Sequence, residues 1–219
     1  MTIKDAMQER HMVRKYTDAP IPAELTEKLN ARIRENNEKY DLSIKLMTDD
    51  GSALPGVIKL ILAKGVKNFF IMAGPESPDL DEKLGYCGAD LMLYAQTLGL
   101  NTWWVGGTFS RKSAEEKAKG AKVVGIVAVG YGQTQGVPHK SKKPEEVSTY
   151  SGEAPEWFKA GVFAALLAPT ALAKQTCTIK GDGNQVHIDC NNGIFTGVDT
   201  GLVKYHFELG AGTDNFKWV

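Results

Sequence analysis

Charge of one sign is missing: 26 Lys and Arg balance 26 Asp and Glu, so the 219-residue chain has a formal net charge of zero. A general polyanion-binding surface is therefore excluded, because nucleic-acid domains carry a basic surplus. Any anion bound here must be small and held by a local cluster. Cysteine is scarce and odd in number, with Cys87, Cys177 and Cys190 and no C-x-x-C pair. That speaks against a disulfide framework or a zinc site and fits a reducing compartment. Long apolar runs are also missing. The longest, "VFAALLAPTALA" (162–173), is too short to span a bilayer and contains Pro169. The N-terminus, "MTIKDAMQERH", is charged where a signal peptide is apolar. The expectation is a soluble cytoplasmic protein with no nucleic-acid, membrane or metal partner.

What is present is enough for one core, possibly with an appended subdomain. At 42% hydrophobic residues, a chain of this length buries ~70% of its unfolded surface. Residues 3–9 read as a short helix, and 22–40 as an amphipathic helix with Leu25, Leu29 and Ile33 on one face. "LSIKLMT" (42–48) alternates as a half-buried strand, and "NFFIMAG" (68–74) is a buried one. Residues 49–65 fit either a short helix or a strand. The stretch 79–100 begins acidic and ends near Gly99, as a helix does, and "NTWWVGG" follows as a strand. "SRKSAEEKAKG" has the form of a capping box, with Ser113 three residues before Glu116. "KVVGIVAVGYG" (122–132) reads as a central strand, and 133–155 as a linker. A helix (155–168), a hairpin turning at Gly181, Asp182 and Gly183, and a last helix (199–210) complete the chain. Interspersed helices and strands imply an α+β or α/β fold around one sheet.

Two basic clusters stand out, "RHMVRK" (10–15) and "HKSKKPEEV" (139–147), the second directly after the central strand. Solvated turns account for most such runs. A phosphate, however, wants charge-assisted bonds from several directions, which two clusters distant in sequence can supply.

Four stretches together resemble the FMN-dependent nitroreductase family. They are "RHMVRKY", the helix "GYCGADLMLYAQTLGLNTWWVGG", the strand tail "AVGYGQTQGVPHKSKKPEEV", and "PTALAKQT" (169–176) for the Pro-Ser-x-x-Asn-x-Gln-Pro signature. The matches run from residue 3 to about 210. In ordinary family members the Pro-Ser signature lies soon after the basic opening. Here it comes late, an order similar to the nitroreductase branch typified by a Thermotoga protein, as is the ending "VDTGLVKYHFELGAG".

The resemblance implies an α+β nitroreductase-like fold, a central mainly antiparallel sheet flanked by helices. Residues 1–150 would form the core, and 151–219 a helix-hairpin-helix part completing it. It implies FMN as cofactor. Arg10 and Arg14 fall on the phosphate-binding positions, with His11 and Met12 beside them. Lys140 and Lys142 close over the phosphate. Trp104, Val105, Gly106 and Gly107 border the isoalloxazine, with a backbone N–H facing the reactive ring nitrogen, although a strand end with a turn explains "WWVGG" equally well. Pro169, Thr170 and Ala173 touch the ring system. Gly85 is a packing or a contact glycine. His206 and Glu208 read as structural or surface groups, while Tyr86 and Tyr131 are open as proton donors. Met12, Ala173 and Thr176 stand where the family has serine, asparagine and proline.

The activity implied is ping-pong hydride transfer from NAD(P)H through FMN to an electron-poor acceptor such as a nitroaromatic or quinone, in a homodimer. No side chain is named as catalytic. The alternative is a relative, flavin-binding or flavin-free, without turnover.

Overall fold

The computed structural model describes residues 1–219. The chain divides into two compact units. The first comprises Met1–Leu80 and Asp90–Pro138, and the second Asp81–Ala89 and His139–Val219.

The first unit opens with α1 (Ile3–Glu9). The Thr2 hydroxyl accepts the Asp5 N–H, and the Asp5 carboxylate accepts the Thr2 N–H in return, a reciprocal cap. The helix ends where Arg10 turns extended while its N–H still reaches the Ala6 carbonyl. α2 (Ala23–Tyr40) starts after Pro22 and buries Leu29, Ile33 and Asn36. It is followed by β1 (Lys45–Met47), the short α3 (Gly56–Ile61) and β2 (Phe69–Gly74). Then come α4 (Leu80–Thr97), β3 (Asn101–Val105), α5 (Arg111–Ala118) and β4 (Lys122–Gly130).

The four strands form one sheet in the order β1-β2-β4-β3, every pair antiparallel. Alternate residues of each strand share a face. Thus Phe69, Ile71 and Ala73 of β2, Trp103 and Val105 of β3, and Ile126 and Ala128 of β4 enter a single core, closed by Val13, Tyr16 and Phe109.

The second unit holds α6 (Pro144–Val147), β5 (Ser148–Tyr150), α7 (Glu156–Ala165), β6 (Cys177–Asp182), β7 (Gln185–Cys190), α8 (Thr196–Ala211) and β8 (Lys217–Trp218). Its sheet runs β5-β6-β7-β8, with an antiparallel hairpin at the centre and a parallel strand at each edge. The hairpin strands alternate buried and exposed, and α8 packs against both. Phe158, Phe207, Phe216, Trp157 and Trp218 stack edge-on or parallel into an aromatic core. At Gly85 and Gly201 the N-terminal half of α4 meets α8. A Cβ on Gly85 would lie 2.2 Å from the Val198 carbonyl oxygen, and one on Gly201 2.0 Å from that of Glu82. Only glycine admits that approach, so Gly85 is a packing glycine.

Four sequence expectations need correction. There are two sheets rather than one, because β5 and β8 are three and two residues long and too short to show a period. The 133–155 stretch is not a plain linker, since it contains α6 and β5. The Ser113–Glu116 capping box does not form. α5 already begins at Arg111, and the Ser113 hydroxyl bonds to Ser52 and Lys117 instead. Finally, Cys177 and Cys190 form a disulfide, because the hairpin register sets them directly opposite. Cys87 is a buried free thiol. No helix is long and apolar enough to cross a membrane.

Candidate functional site

In the first unit the basic segment is sewn to the sheet edge. Met12 bridges Thr102 in parallel, and the Val13 N–H reaches the Thr102 carbonyl at 3.2 Å. The Lys64 N–H bonds the Arg14 carbonyl, the Tyr16 N–H bonds the Lys64 carbonyl, and Thr17 and Lys15 bond to Tyr131 and Gln133. The segment is therefore fixed on both sides by backbone.

Its side chains have contrasting fates. Arg10 is buried at 6% exposure, and its guanidinium makes no hydrogen bond or ion pair with the protein. Burial lowers its pKa to about 10, the electrostatics of neighbouring Tyr16 opposing the drop. Tyr16 is itself buried, which pushes its phenol well above the ordinary value, and its hydroxyl reaches only the Ala128 carbonyl at 3.4 Å. Arg14 is exposed and lies over the Trp103 ring, 5.3 Å from the centroid. Met12 is 46% exposed and has no polar atom to donate. His11 is half-buried, with its Cβ beside Gly136.

At the end of β3, Trp104 is half-buried, Val105 is buried, and Gly106 and Gly107 form a bend. Neither glycine N–H is taken by a backbone carbonyl. Thr102, fully buried beside Met12, has a hydroxyl with no partner.

The second unit brings together two other expected segments. His139–Lys142 and Pro169–Ala173 meet around Gln175, which is 5% exposed. Its Oε1 accepts the Lys142 backbone N–H at 2.7 Å, and its backbone carbonyl accepts the Lys142 ammonium at 2.9 Å. Its Nε2 donates to the Leu166 carbonyl at 2.8 Å and stands 3.1 Å from His139 Nε2. Its own N–H points at the Thr170 hydroxyl, 3.3 Å away. Lys140 is exposed.

Beyond Thr170, the Ala171 N–H bonds to Asp199 Oδ1 at 2.9 Å, while Asp199 Oδ2 takes the Asn192 amide at 2.7 Å. No cation pairs with this carboxylate, and burial raises its pKa. Leu172, Ala173 and Gln175 all have φ near +50°, a left-handed run that L side chains avoid.

Sequence matching extends these observations. Residues 2–211 match the model of the family described as "Putative TM nitroreductase". The chain belongs to this nitroreductase family. No curated protein matches the sequence. Among solved structures, the fold is similar to that of a Thermotoga maritima protein described as "a putative nitroreductase". The TM-score is 0.72 at 19% identity, covering 96% of this chain and 83% of that one. A nitroreductase-like protein of Streptococcus mutans gives 0.54 at 13% identity, covering 65% and 95%. A Bacteroides thetaiotaomicron protein described as an NADH dehydrogenase/NAD(P)H nitroreductase gives 0.52 at 18%, covering 66% and 95%. The fold is nitroreductase-like, and the mainly antiparallel sheet of the first unit is the one the resemblance implied.

Sequence reasoning missed Tyr16, Thr102 and Asp199 and undervalued Gln175. A faint signal existed for Gln175, which occupies the glutamine of the family signature. None existed for Asp199, whose partners lie on separate segments. Tyr86 donates to Glu208 Oε2 at 2.5 Å, and Trp218 Nε1 donates to Oε1 at 2.8 Å. Glu208 thus ties the N-terminal half of α4 to the chain end, a structural role. His206 is buried, its Nδ1 2.8 Å from the Leu202 carbonyl.

Proposed function

We propose that this nitroreductase-family chain is an FMN-dependent oxidoreductase, taking hydride from NAD(P)H and passing electrons to an electron-poor acceptor such as a nitroaromatic or quinone. The observation that carries this reading is Arg10: a buried guanidinium with no acceptor in the protein. Burying a cation is costly unless it is paired, and a phosphate dianion is the partner that five fixed N–H donors suit.

Other residues carry donors suited to such a group. Arg14, stacked on Trp103, keeps its in-plane donors available. Lys142 spends one of three ammonium donors on a neutral carbonyl. The Gly106 and Gly107 N–H groups, uncommitted to any carbonyl, are placed to stabilise negative charge, and their lack of a Cβ lets a ring approach. The family resemblance assigns Lys140, Pro169 and Thr170, in the second unit, to flavin binding as well.

The flavin, when bound, supplies hydride acceptance and release, in a ping-pong order. The protein's part is to bind, orient and exclude water. No side chain has to move a proton in hydride transfer. We extend the reading to a homodimer, its interface covering the exposed apolar Val57, Leu60 and Ile61 of α3. Light scattering on the purified protein checks the stoichiometry.

A second reading, a flavin-binding or flavin-free relative without turnover, is favoured by Met12 and Ala173, which offer no side-chain hydrogen bond where the family resemblance implies serine and asparagine. Each loss costs ~0.5–1.5 kcal/mol.

The deciding experiment is the absorbance and mass of the small molecule released by heat denaturation. FMN supports the proposal, and release of no flavin overturns it. Bleaching of the bound flavin by NADH or NADPH then separates the oxidoreductase from the carrier.

A further inference from the structure

We infer that Gln175 is a positioning residue that presets Lys142 as an anion-binding group, acting through the lysine without touching the ligand. The inference rests on the reading above, in which Lys142 faces the FMN phosphate.

Lys142 lies in an exposed stretch outside helix and strand, where a lysine side chain ordinarily samples many rotamers and loses that freedom on binding. Gln175 removes much of that freedom beforehand by gripping the residue at both ends. Its side-chain Oε1 holds the Lys142 N–H at 2.7 Å, and its main-chain carbonyl holds the ammonium at 2.9 Å. Both grips are neutral. No carboxylate forms an ion pair with Lys142, so the positive charge is oriented without being cancelled, and two N–H donors remain for an anion.

A glutamate at 175 could accept the same Lys142 N–H, but it could not donate to the Leu166 carbonyl and would add a negative charge beside the cation. Gln175 is in turn locked. Its amide donates to the Leu166 carbonyl at 2.8 Å, its N–H faces the Thr170 hydroxyl, and its φ is +49°. A non-glycine residue persists in that conformation only where its surroundings over-determine it. Those surroundings include the Leu166 carbonyl and the Thr170 hydroxyl, the second of which meets the main chain and is kept whatever side chain stands at 175.

The test uses the full chain stripped of small molecules and titrated with FMN and with riboflavin, which lacks the phosphate. Gln175→Ala is expected to weaken FMN by about two- to tenfold, the scale of one hydrogen bond, and to leave riboflavin affinity unchanged. Gln175→Met, which keeps the volume, reads the same if the alanine variant misfolds. In a Lys142→Ala background, Gln175→Ala is expected to add nothing to the FMN loss. In the ligand-free protein, hydrogen exchange at the Lys142 amide is expected to accelerate. Equal losses for both flavins, or additive losses in the double variant, overturn the inference and leave the function standing. Wild-type protein that binds neither flavin overturns both.

Discussion

Cys177 and Cys190 stand directly opposite each other at the open end of the β6–β7 hairpin, and their sulfurs are joined. The bond closes a loop of sequence separation 13 and sits two positions beyond Gln175. Chain entropy assigns such a loop about 3 kcal/mol. Reduction, or the Cys177→Ser/Cys190→Ser pair, is expected to lower stability by about 2–3 kcal/mol. Urea denaturation with and without dithiothreitol measures the difference. An unchanged midpoint would mean that the hairpin is held by its ladder alone.

Arg10 carries a penalty in the ligand-free protein. Burial lowers its pKa from the ordinary guanidinium range to about 10, a cost of ~3 kcal/mol. The sign is that of a buried cation. The cost is present at every pH below about 10, where the folded and unfolded chains both hold the proton, and is relieved only as pH rises through that value. Arg10→Met is therefore expected to raise the melting temperature of the ligand-free protein while abolishing flavin retention. Inorganic phosphate should raise the wild-type melting temperature and leave that of the variant unmoved.

Asp199 has the opposite polarity. Its folded pKa lies above 3.8 because of burial, so the proton prefers the folded chain. The stability this contributes is complete below pH 3.8 and is lost as pH rises through the higher folded value. Asp199→Asn is expected to remove that dependence, so the stability of wild type relative to variant should fall with rising pH on the acid side of neutrality. Asp199→Ala should cost about 1–3 kcal/mol at neutral pH, because the Ala171 N–H and the Asn192 amide lose their acceptor. Chemical denaturation between pH 4 and 7 tests both.

Gly201→Ala forces a methyl to within 2.0 Å of the Glu82 carbonyl oxygen. Backbone has to move, so a loss of about 1–3 kcal/mol is expected, as for overpacked cores. Circular dichroism melts should show it, whereas alanine at Gly183, a turn position with open space around it, pays only the cost of its positive φ.

Much of this architecture was legible in the sequence, for physical reasons. "NFFIMAG" and "KVVGIVAVG" are uninterrupted apolar runs because β2 and β4 are buried on both faces. The helix from Ala23 to Tyr40 announces itself by Leu29 and Ile33 against a charged face. What stayed hidden depended on register or on tertiary partners. Cys177 and Cys190 pair only once the hairpin turn has been placed at Gly183 and Asn184. Ser113 looks like a cap until Ser52 and Lys117 claim its hydroxyl.

The candidate site divides in the same way. The cluster at residues 10–15 was visible as charge. Composition gives no sign that Arg10 goes inside while Arg14 stays out, because that depends on α1 ending one residue before it. Gln175 and Asp199 are ordinary polar residues in sequence, and their importance lies in the carbonyls and N–H groups that come to them from segments far along the chain.

The left-handed run at Leu172, Ala173 and Gln175 has a consequence for position 173. Asparagine is among the few non-glycine residues at home near φ +52°. An asparagine at 173 would therefore ease the local conformation and place an amide beside Thr170 and Gln175.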